Sequence, residues 1–393
     1  MKKYCQLLLL IGCILSLTLL LIYRHQYNRL HYVLEVFNFF GQPCNISELE
    51  LTENVAVQHD WGPVPLWQSH GPIHTYSGYW MKKNVNDDKS KGYAEVIVAN
   101  REKTYMKGCY LWEENEKNPI IGKFMYSKIS ENLYFYSCYT DGLEKNPYAV
   151  SFLGKLKNPI RKILLKTPSE KISFNTTVCV LPSANFSKNE FLEFLSFHTL
   201  VGIDSYIFYT DNISHRLQKI IVNLSSRLNI KVTFFPWNLN VFNQNFTRDV
   251  IEQDCLLRAL SNSKNVISLA LNEYLVPSAH ITLNELFNNY QSTPRIRLPI
   301  QTFCIRNIRQ KKPIALQNTE VTYFNDNSIR MVYRNVKDHV NHGVKSVNKH
   351  TASIHNYLIC NQSGRSYNDN IMLRYSTDFL RSTLMQLYLH DHI

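Results

Sequence analysis

The stretch that decides the fold is Val266-Ile-Ser-Leu-Ala-Leu-Asn-Glu-Tyr-Leu-Val-Pro277. Residues 266–271 form a short, nearly continuous apolar run, which is typical of a buried strand in a parallel sheet. Pro277 prevents a helix from continuing through the residue before it. Asn272 and Glu273 therefore come at the carboxyl edge of a predicted sheet, where open α/β proteins bind ligands. The alternative is an ordinary strand-to-loop turn, in which Asn is common.

The segments before this stretch alternate between helix and strand patterns. Ser187-Lys-Asn-Glu190 is a capping box, which predicts a helix that ends at Gly202. Apolar residues at helical spacing predict a second helix between Leu217 and Leu228 and a third between Val250 and Leu260, with a strand from Ile230 to Phe235 between them. This order predicts a parallel sheet with helices on both faces.

The chain between Gly71 and Phe152 has strand signals only. Short aromatic or β-branched runs alternate with turn residues at 76–80, 93–99, 108–112, 133–138 and 148–152. They predict a small antiparallel sandwich or sheet, in which Cys109 and Cys138 could be joined by a disulfide. The many aromatic rings could form a carbohydrate-binding face, but core packing is the favoured role for most of them.

Residues 5–23 form an uncharged run of 19 residues, which as a helix would be about 28 Å long and so fits a membrane span. Residues 1–4 would then be a cytoplasmic tail and residues 24–70 a stem. A removed signal peptide is the alternative, but no small-x-small cleavage site follows the run.

Seven Asn-x-Ser/Thr sites follow this run, and glycosylation would place the rest of the chain in the lumen. Chance is the weaker explanation for all of them. The sites are Asn45, Asn175, Asn185, Asn212, Asn223, Asn245 and Asn361. We therefore expect a single-pass type II protein of the Golgi or endoplasmic reticulum membrane, attached through one N-terminal helix.

Seven of the nine cysteines lie outside the apolar run. Since none has the close paired spacing of a zinc site, we expect disulfides and buried thiols, with at least one cysteine unpaired within the chain. The net charge of +12 favours an acidic partner. Because the Lys and Arg residues are scattered and form no stripe with aromatic residues between them, nucleic acid is not the expected partner.

Several short segments of the sequence, in this order, resemble glycosyltransferase family 92. They are Val178-Cys-Val-Leu-Pro182, Asn189-Glu-Phe-Leu-Glu-Phe-Leu-Ser-Phe-His-Thr-Leu-Val-Gly202, Tyr206-Ile-Phe-Tyr-Thr-Asp-Asn212 and Asp254-Cys-Leu-Leu-Arg258, followed by the opening stretch. The resemblance covers residues 175 to about 376. In that family the opening stretch carries Asp-x-Asp-Glu-Phe and then Pro. Here Ala270 and Asn272 replace the two aspartates, while Glu273 and Pro277 are kept.

The resemblance implies a GT-A-like α/β transferase domain over residues 175–393, preceded by a β-rich lobe over 71–165. It also implies inverting transfer of a hexose, galactose from UDP-galactose, to a glycan acceptor, so the expected partners are a nucleotide sugar and a glycan. The alternative is a catalytically inactive member that acts as a glycan- or protein-binding module.

The same resemblance implies a divalent cation at the donor site. Mn²⁺ and Mg²⁺ prefer carboxylate and phosphate oxygens. Because Glu273 is the only carboxylate left in the motif, we expect either ion to bind weakly or to be absent. His355 matches a histidine of the family and is a second metal candidate, although a lone histidine is more often part of a core.

Further candidate site residues follow from the aligned words. The candidates for donor binding are Asp211, Asn272, Glu273, Lys345 and Arg374, and Arg374 could neutralise a diphosphate without a metal. Candidates for a general base are Glu320, Asp326 and Asp338, with no ground for choosing among them. Asp254 and Arg258 lie four residues apart on a predicted helix, where a structural ion pair is favoured over support of the sheet edge.

Overall fold

The computed structural model describes residues 16–19 and 21, and residues 67–389 except 71–72, 83–91, 101–105, 115, 117, 141–144, 155–161, 170, 184–186, 211–212, 239–243, 279–280, 291, 307–311, 323–327, 336–342 and 361–364. Met1–Val64 and Pro65–Ile393 form two compact units. Most of the expected membrane span at 5–23 and of the expected stem lies outside the described residues. Within the described part of the chain, no helix is long and apolar enough to cross a membrane.

The first half of the larger unit is a closed β-barrel. Its strands are β1 (Gln68–His70), β2 (Ile73–Lys82), β3 (Gly92–Asn100), β4 (Met106–Trp112), β5 (Ile120–Ser130), β6 (Leu133–Thr140), β7 (Ala149–Gly154) and β8 (Ile163–Lys166). They follow the order β1-β2-β3-β6-β5-β4-β7-β8, and β8 pairs with β2 to close the ring. The predicted runs fall in these strands, except Tyr148, which precedes β7, but a small antiparallel sandwich or sheet was expected. Pairing of β8 with β2 joins strands far apart in sequence and removes the free edges, which no local pattern reveals.

A disulfide crosses the interior of this barrel. Cys109 on β4 and Cys138 on β6 are bonded, as the sequence suggested, with their Cα atoms 5.9 Å apart. The strand between them, β5, passes the disulfide at Gly122. A Cβ atom there would lie 2.4 Å from the Cys138 sulfur, so only glycine fits. The aromatic residues Trp80, Tyr136 and Phe152 fill the barrel around the disulfide.

The second half of the unit is mixed α/β. Its strands are β9 (Phe174–Val180), β10 (Ser205–Tyr209), β11 (Lys231–Phe235), β12 (Ser263–Leu269), β13 (Glu273–Pro277), β14 (Arg295–Cys304), β15 (Glu320–Thr322), β16 (Ile329–Arg334), β17 (Val344–Ser346), β18 (Ala352–Leu358) and β19 (Ser366–Asn368). Its helices are α1 (Lys188–Leu200), α2 (His215–Leu228), α3 (Gln244–Ala259), α4 (Leu283–Asn288), α5 (Ile314–Gln317), α6 (Ser376–Arg381) and α7 (Thr383–Leu389), with a 3₁₀ turn at Met372–Tyr375. The predicted alternation of strand and helix is confirmed.

Helices cover both faces of the central sheet. Helix α1 begins where the Ser187 hydroxyl accepts from the Glu190 N–H, and it ends before Gly202, whose φ is +98°. Its residues Phe191–His198 are all buried, and with α2 it packs on one face of the sheet. Helix α3 lies on the other face, where its Cys255 is bonded to Cys179 of β9.

The strand order determines where a ligand would bind. Strands β11, β10, β9 and β12 are parallel to one another and adjacent in that order. Beyond β12 the sheet continues with β16, which is antiparallel to β12, and then with β14, which is antiparallel to β16. The chain leaves β9 towards β10, whereas β12 lies on the opposite side of β9. The carboxyl ends of β9 and β12 therefore form a topological switch point, which is the usual position of a ligand in such sheets. Glu273 follows β12 at this edge.

Candidate functional site

The candidate site is centred on Glu273, the first residue of β13. The preceding turn is closed by the Glu273 N–H, which donates to the Ala270 carbonyl at 3.0 Å. In return the Ala270 N–H donates to Oε2 of Glu273 at 2.9 Å. The Glu273 side chain is only 3% exposed. The turn thus fixes one carboxylate, buried, at the carboxyl edge of β12.

Two arginines bind this carboxylate. Arg248, in the second turn of α3, donates from Nη2 to Oε1 and Oε2 of Glu273 at 3.1 and 3.2 Å. Arg330, on β16, donates from Nε to Oε1 at 3.0 Å, and its Nη2 also contacts Oε1. The side chains of Arg248 and Arg330 are 22% and 19% exposed. Both arginines therefore reach the buried carboxylate and still have surface open to solvent.

The balance of charge in this cluster is positive. Burial raises the pKa of Glu273, but the Arg330 hydrogen bond and the two guanidinium charges outweigh it and hold the pKa below its usual value. Glu252, one turn after Arg248, accepts instead from the Tyr333 hydroxyl, and burial raises its pKa. Nη1 of Arg248 is buried and has no hydrogen-bond partner among the described residues. The two guanidinium groups thus share one carboxylate.

A divalent cation does not fit this arrangement. Glu273, the metal candidate kept from the family motif, already accepts from both arginines. Ala270 offers no ligand, and Asn272 turns its amide nitrogen to the side chain of Asn356 and the carbonyl of Tyr357, at 2.9 and 3.0 Å. Cations beside the sole carboxylate repel a metal ion. In the described part of the chain, no three His, Cys, Asp or Glu side chains are grouped so as to hold a metal.

The other metal candidate, His355, lies in the core. It is fully buried on β18 and stacks on Phe303 with ring centroids 4.4 Å apart. Burial lowers its pKa to about 4, against the charge of Asp369. The alternation of β18 turns His355 and Asn356 to opposite faces, and Asn356 is the residue opposite Glu273. His355 and Glu273 therefore do not share a site.

The basic donor candidates are also apart from Glu273. Lys345 is exposed on the short strand β17. Arg374 is exposed in the 3₁₀ turn, and the next residue, Tyr375, donates to the Pro277 carbonyl at 2.9 Å. Pro277 is the last residue of β13, about 13 Å along the strand from Glu273. The structure thus provides cations at Glu273, but they are Arg248 and Arg330.

Among the candidate bases, Glu320 is the one that the structure describes. It lies on β15, where it accepts from the Ser366 hydroxyl and pairs with Arg306 at 2.9 Å. Asp326 and Asp338 lie outside the described residues, as does the donor candidate Asp211. The choice of a base therefore stays a prediction.

Asp254 and Arg258 have the structural role that was favoured. Arg258 donates twice to Asp254, at 3.0 Å each, and both side chains are buried. Ser77 and Tyr79 of the barrel and Tyr209 of β10 also donate to this carboxylate. The pair joins the barrel, α3 and the central sheet.

Three of the seven Asn-x-Ser/Thr sequences that are candidates for glycosylation lie in the described part of the chain. Asn223 on α2 and Asn245 on α3 are exposed. Asn175 is half-buried at the start of β9, where its side-chain oxygen accepts from Lys264 at 2.9 Å. Asn45, Asn185, Asn212 and Asn361 are outside the described residues.

Sequence reasoning missed Arg248 and Arg330. A helix that follows a parallel strand begins at the carboxyl edge of the sheet, so the first turns of α3 had to lie near the site. That rule could have singled out Arg248. Arg330 stands in the alternating run Ile329-Arg-Met-Val-Tyr-Arg334, which reads as a half-exposed strand. No local signal distinguishes it from a solvated arginine.

Comparison with known proteins agrees with the sequence resemblance. The profile of Glycosyltransferase family 92 matches residues 175–374. No curated protein matches the chain.

Similar solved structures include HddC from Yersinia pseudotuberculosis, with 8% identity, a TM-score of 0.27 and coverage of 52% of this chain and 98% of that one. A putative glucose-1-phosphate thymidylyltransferase from Bacillus anthracis in complex with sucrose has 8% identity, a TM-score of 0.27 and coverage of 55% and 95%. A nucleoside-diphosphate-sugar pyrophosphorylase from Vibrio cholerae has 8% identity, a TM-score of 0.24 and coverage of 52% and 100%. At such TM-scores the likeness carries no argument.

The family match includes β9, the helix that follows it, β12 and the turn at Ala270, and so covers the sheet edge at which Glu273 is held. It spans half of the chain. The chain therefore belongs to glycosyltransferase family 92.

Proposed function

We propose that the protein transfers a hexose, galactose from UDP-galactose, to a glycan acceptor with inversion at the anomeric carbon. The observation that carries this proposal is the cluster of Glu273, Arg248 and Arg330 beside the switch point of the sheet. A GT-A-like domain would place the sugar donor at this edge. Guanidinium groups there are suited to a diphosphate, since they form paired, charge-assisted hydrogen bonds with phosphate oxygens.

In the proposed reaction an acceptor hydroxyl oxygen attacks the anomeric carbon. The bond from that carbon to the diphosphate breaks, and its electron pair leaves with the nucleoside diphosphate. The hydroxyl proton passes to a general base, for which the candidates are Glu320, Asp326 and Asp338. The chain's part is to hold the donor, to stabilise the charge on the leaving diphosphate and to accept this proton.

A donor screen tests the proposal. The purified full chain would be incubated with UDP-galactose, UDP-glucose, UDP-N-acetylhexosamines and GDP-mannose, each with galactose-terminated and N-acetylglucosamine-terminated glycans. Products would be identified by mass spectrometry and the new linkage by NMR. We expect galactose transfer with an inverted anomeric configuration. Transfer from another donor would correct the sugar, and retained configuration would contradict the proposed chemistry.

One observation favours a second function, that of a non-catalytic glycan- or protein-binding module. The turn that carries the metal ligands in the family has Ala270, and its Asn272 is committed to Asn356 and the Tyr357 carbonyl. Absence of turnover with every donor, together with binding of a glycan on an array, would support the module.

We also propose that residues 5–23 anchor the protein in the Golgi or endoplasmic reticulum membrane, with residue 24 onward in the lumen. Support comes from the uncharged run and the glycosylation sites of the sequence. Treatment of the cell-made protein with an N-glycosidase should increase its electrophoretic mobility. No change in mobility would contradict this orientation.

A further inference from the structure

The cluster at Glu273 has the composition of an anion site. Two guanidinium groups meet one carboxylate, and both lie at the switch-point edge of the sheet. A site built for Mn²⁺ or Mg²⁺ needs the opposite arrangement, with several acidic oxygens and few cations. The replacement of two aspartates by Ala270 and Asn272 removes the charges on which such an ion depends.

We propose that Arg248 and Arg330 bind the diphosphate of the sugar donor directly, in place of the divalent ion, so that donor binding does not require a metal. This inference rests on the proposed function. Glu273 then serves as a positioning residue, because its side-chain oxygens accept from both arginines. A glutamine at this position would keep one such oxygen and lose only the charge.

The hydrogen bonds of the cluster leave donors for a ligand. Arg248 uses Nη2 for Glu273, while its buried Nη1 has no partner among the described residues. Arg330 uses Nε and Nη2 for Glu273 and Nη1 for its neighbouring Ile329 carbonyl at 3.1 Å. A phosphate oxygen that meets the exposed sides of both groups would gain the charge of both arginines. It could accept from Nε of Arg248, which does not donate to Glu273, whereas the buried Nη1 does not face solvent.

The positions of the two arginines are fixed by separate elements. Arg248 belongs to α3, which is held to the sheet by the disulfide between Cys255 and Cys179. Arg330 belongs to β16, which pairs with both β12 and β14. Because the cations are held in place before a ligand arrives, little ordering cost opposes binding.

A further acidic group, Glu252, acts electrostatically on both arginines, but the structure shows no hydrogen bond from either of them to it. Glu252 lies one turn after Arg248, but its hydrogen bond is from Tyr333. Glu273 is therefore the carboxylate that an incoming diphosphate has to share. Removing the charge of Glu273 should therefore strengthen the binding of an anion, whereas it would weaken the binding of a metal ion.

The test is calorimetric titration of the purified full chain with UDP and with GDP, first in EDTA and then in Mn²⁺. We expect UDP, the nucleotide of the proposed donor, to bind in EDTA, with an affinity that Mn²⁺ changes less than about threefold. Arg248→Gln and Arg330→Gln should each weaken binding about tenfold or more, since each removes a charge-assisted interaction with phosphate. Glu273→Gln should leave binding as tight as in the wild type or tighter.

The matched control is Arg227→Gln. Arg227 lies in the last turn of α2, which leads into β11 at the opposite edge of the sheet, so its substitution should not change binding. Thermal unfolding of each variant shows whether it is folded, and the comparison of EDTA with Mn²⁺ needs only the wild type.

Two results would overturn the inference. Binding that requires Mn²⁺ and is lost in Glu273→Gln would establish a metal site and leave the proposed transferase function intact. Binding of neither nucleotide, with or without Mn²⁺, would remove the proposed function as well.

Discussion

Arg258 and Asp254 form a two-point ion pair with both hydrogen bonds at 3.0 Å and with side-chain exposures of 4% and 0%. The Arg258 guanidinium also lies over the ring of Phe235, 4.3 Å from its centroid. The Asp254 carboxylate also accepts hydrogen bonds from hydroxyl groups of the barrel and of β10. A buried charge of this kind is tolerated only while its partner is present.

We therefore expect Arg258→Met to lower the free energy of unfolding by about 3–5 kcal/mol, because it leaves the Asp254 charge buried without a cation. Urea denaturation of the full chain measures this loss. Arg227→Met, at an exposed arginine of α2, is the control and should change stability by less than about 0.5 kcal/mol. Equal effects of the two substitutions would show that the buried pair contributes no more to the free energy of unfolding than an exposed arginine does.

The sequence predicted the parts of the fold that depend on local patterns. The strand predicted at residues 266–271, the helix from Ser187 to Gly202 and the alternation of strand and helix all follow from apolar spacing and capping. The structure has them, although the strand, β12, spans Ser263–Leu269 and ends before the predicted Leu271. Barrel closure between β2 and β8 depends on residues 87 positions apart, Gly78 with Leu165 and Tyr79 with Lys166, and no pattern within either strand encodes it. Helix α3 also begins earlier than predicted, at Gln244.

The position of Glu273 at the carboxyl edge of the sheet was predicted, but its contacts with two arginines were not, and its role in donor binding stays a prediction. Glu273 was found because it follows a buried strand at the carboxyl edge of the sheet. Its partners come from a helix and a strand that lie 25 residues before it and 57 residues after it. Which distant arginines reach a buried carboxylate depends on packing, so the sequence favoured Arg374 on the basis of an aligned word alone.

Buried His355 should make stability depend on pH. Its pKa is lowered from 6.5 to about 4 because burial disfavours the imidazolium. Above about pH 6.5 His355 is neutral in both the folded and the unfolded chain and does not make stability depend on pH. As the pH falls from 6.5 towards 4, the unfolded chain binds the proton first, so the free energy of unfolding decreases. His355→Phe removes this dependence. The free energy of unfolding of the variant, relative to that of the wild type, should therefore rise by up to about 1.4 kcal/mol for each pH unit by which the pH falls in that range.

Urea denaturation of both proteins between pH 4 and 8 would measure this difference, which cancels the contributions of all other groups. His350→Phe, at an exposed position just before β18, is the control. A constant difference between His355→Phe and the wild type across the range would contradict the expected linkage.

The disulfide between Cys179 and Cys255 should be the most stabilising of the three in the described chain, because it closes the longest loop. It closes a sequence separation of 76, against 56 for the disulfide between Cys304 and Cys360 and 29 for the one between Cys109 and Cys138. The longest and the shortest loop give the clearest comparison. Chain entropy of the unfolded state predicts losses of about 4–5 and about 3–4 kcal/mol when each pair is replaced by alanines. Chemical denaturation of the two double variants measures both losses. A larger loss for the Cys109 and Cys138 pair would show that packing inside the barrel outweighs the entropy term.

Glycans should be found at the exposed sites of the described chain. Asn223 and Asn245 project from helices into solvent, whereas the half-buried Asn175 side chain is held by Lys264. If the body of the protein is lumenal, we expect glycosidase-released peptides of the cell-made protein to carry the deamidation mark at Asn223 and Asn245, with little at Asn175. Mass spectrometry with release in heavy-oxygen water measures all three. A heavily occupied Asn175 would conflict with the hydrogen bond to Lys264.

The last prediction compares two arginines as the cation of the leaving diphosphate. Arg374 is exposed beside the far end of β13, while Arg330 donates to Glu273 at the carboxyl edge of β12. Only a cation at that edge can stabilise the charge that develops on the diphosphate, since this interaction weakens with distance.

In an active wild type, Arg330→Ala should lower kcat/KM by roughly thirtyfold to several hundredfold, which corresponds to about 2–4 kcal/mol. Arg374→Ala should change it less than about threefold, and it serves as the control for loss of an arginine. Initial rates of sugar transfer in EDTA measure both. A large loss in Arg374→Ala with normal rates in Arg330→Ala would move the diphosphate to the other end of β13 and leave Arg330 as a partner of Glu273 only.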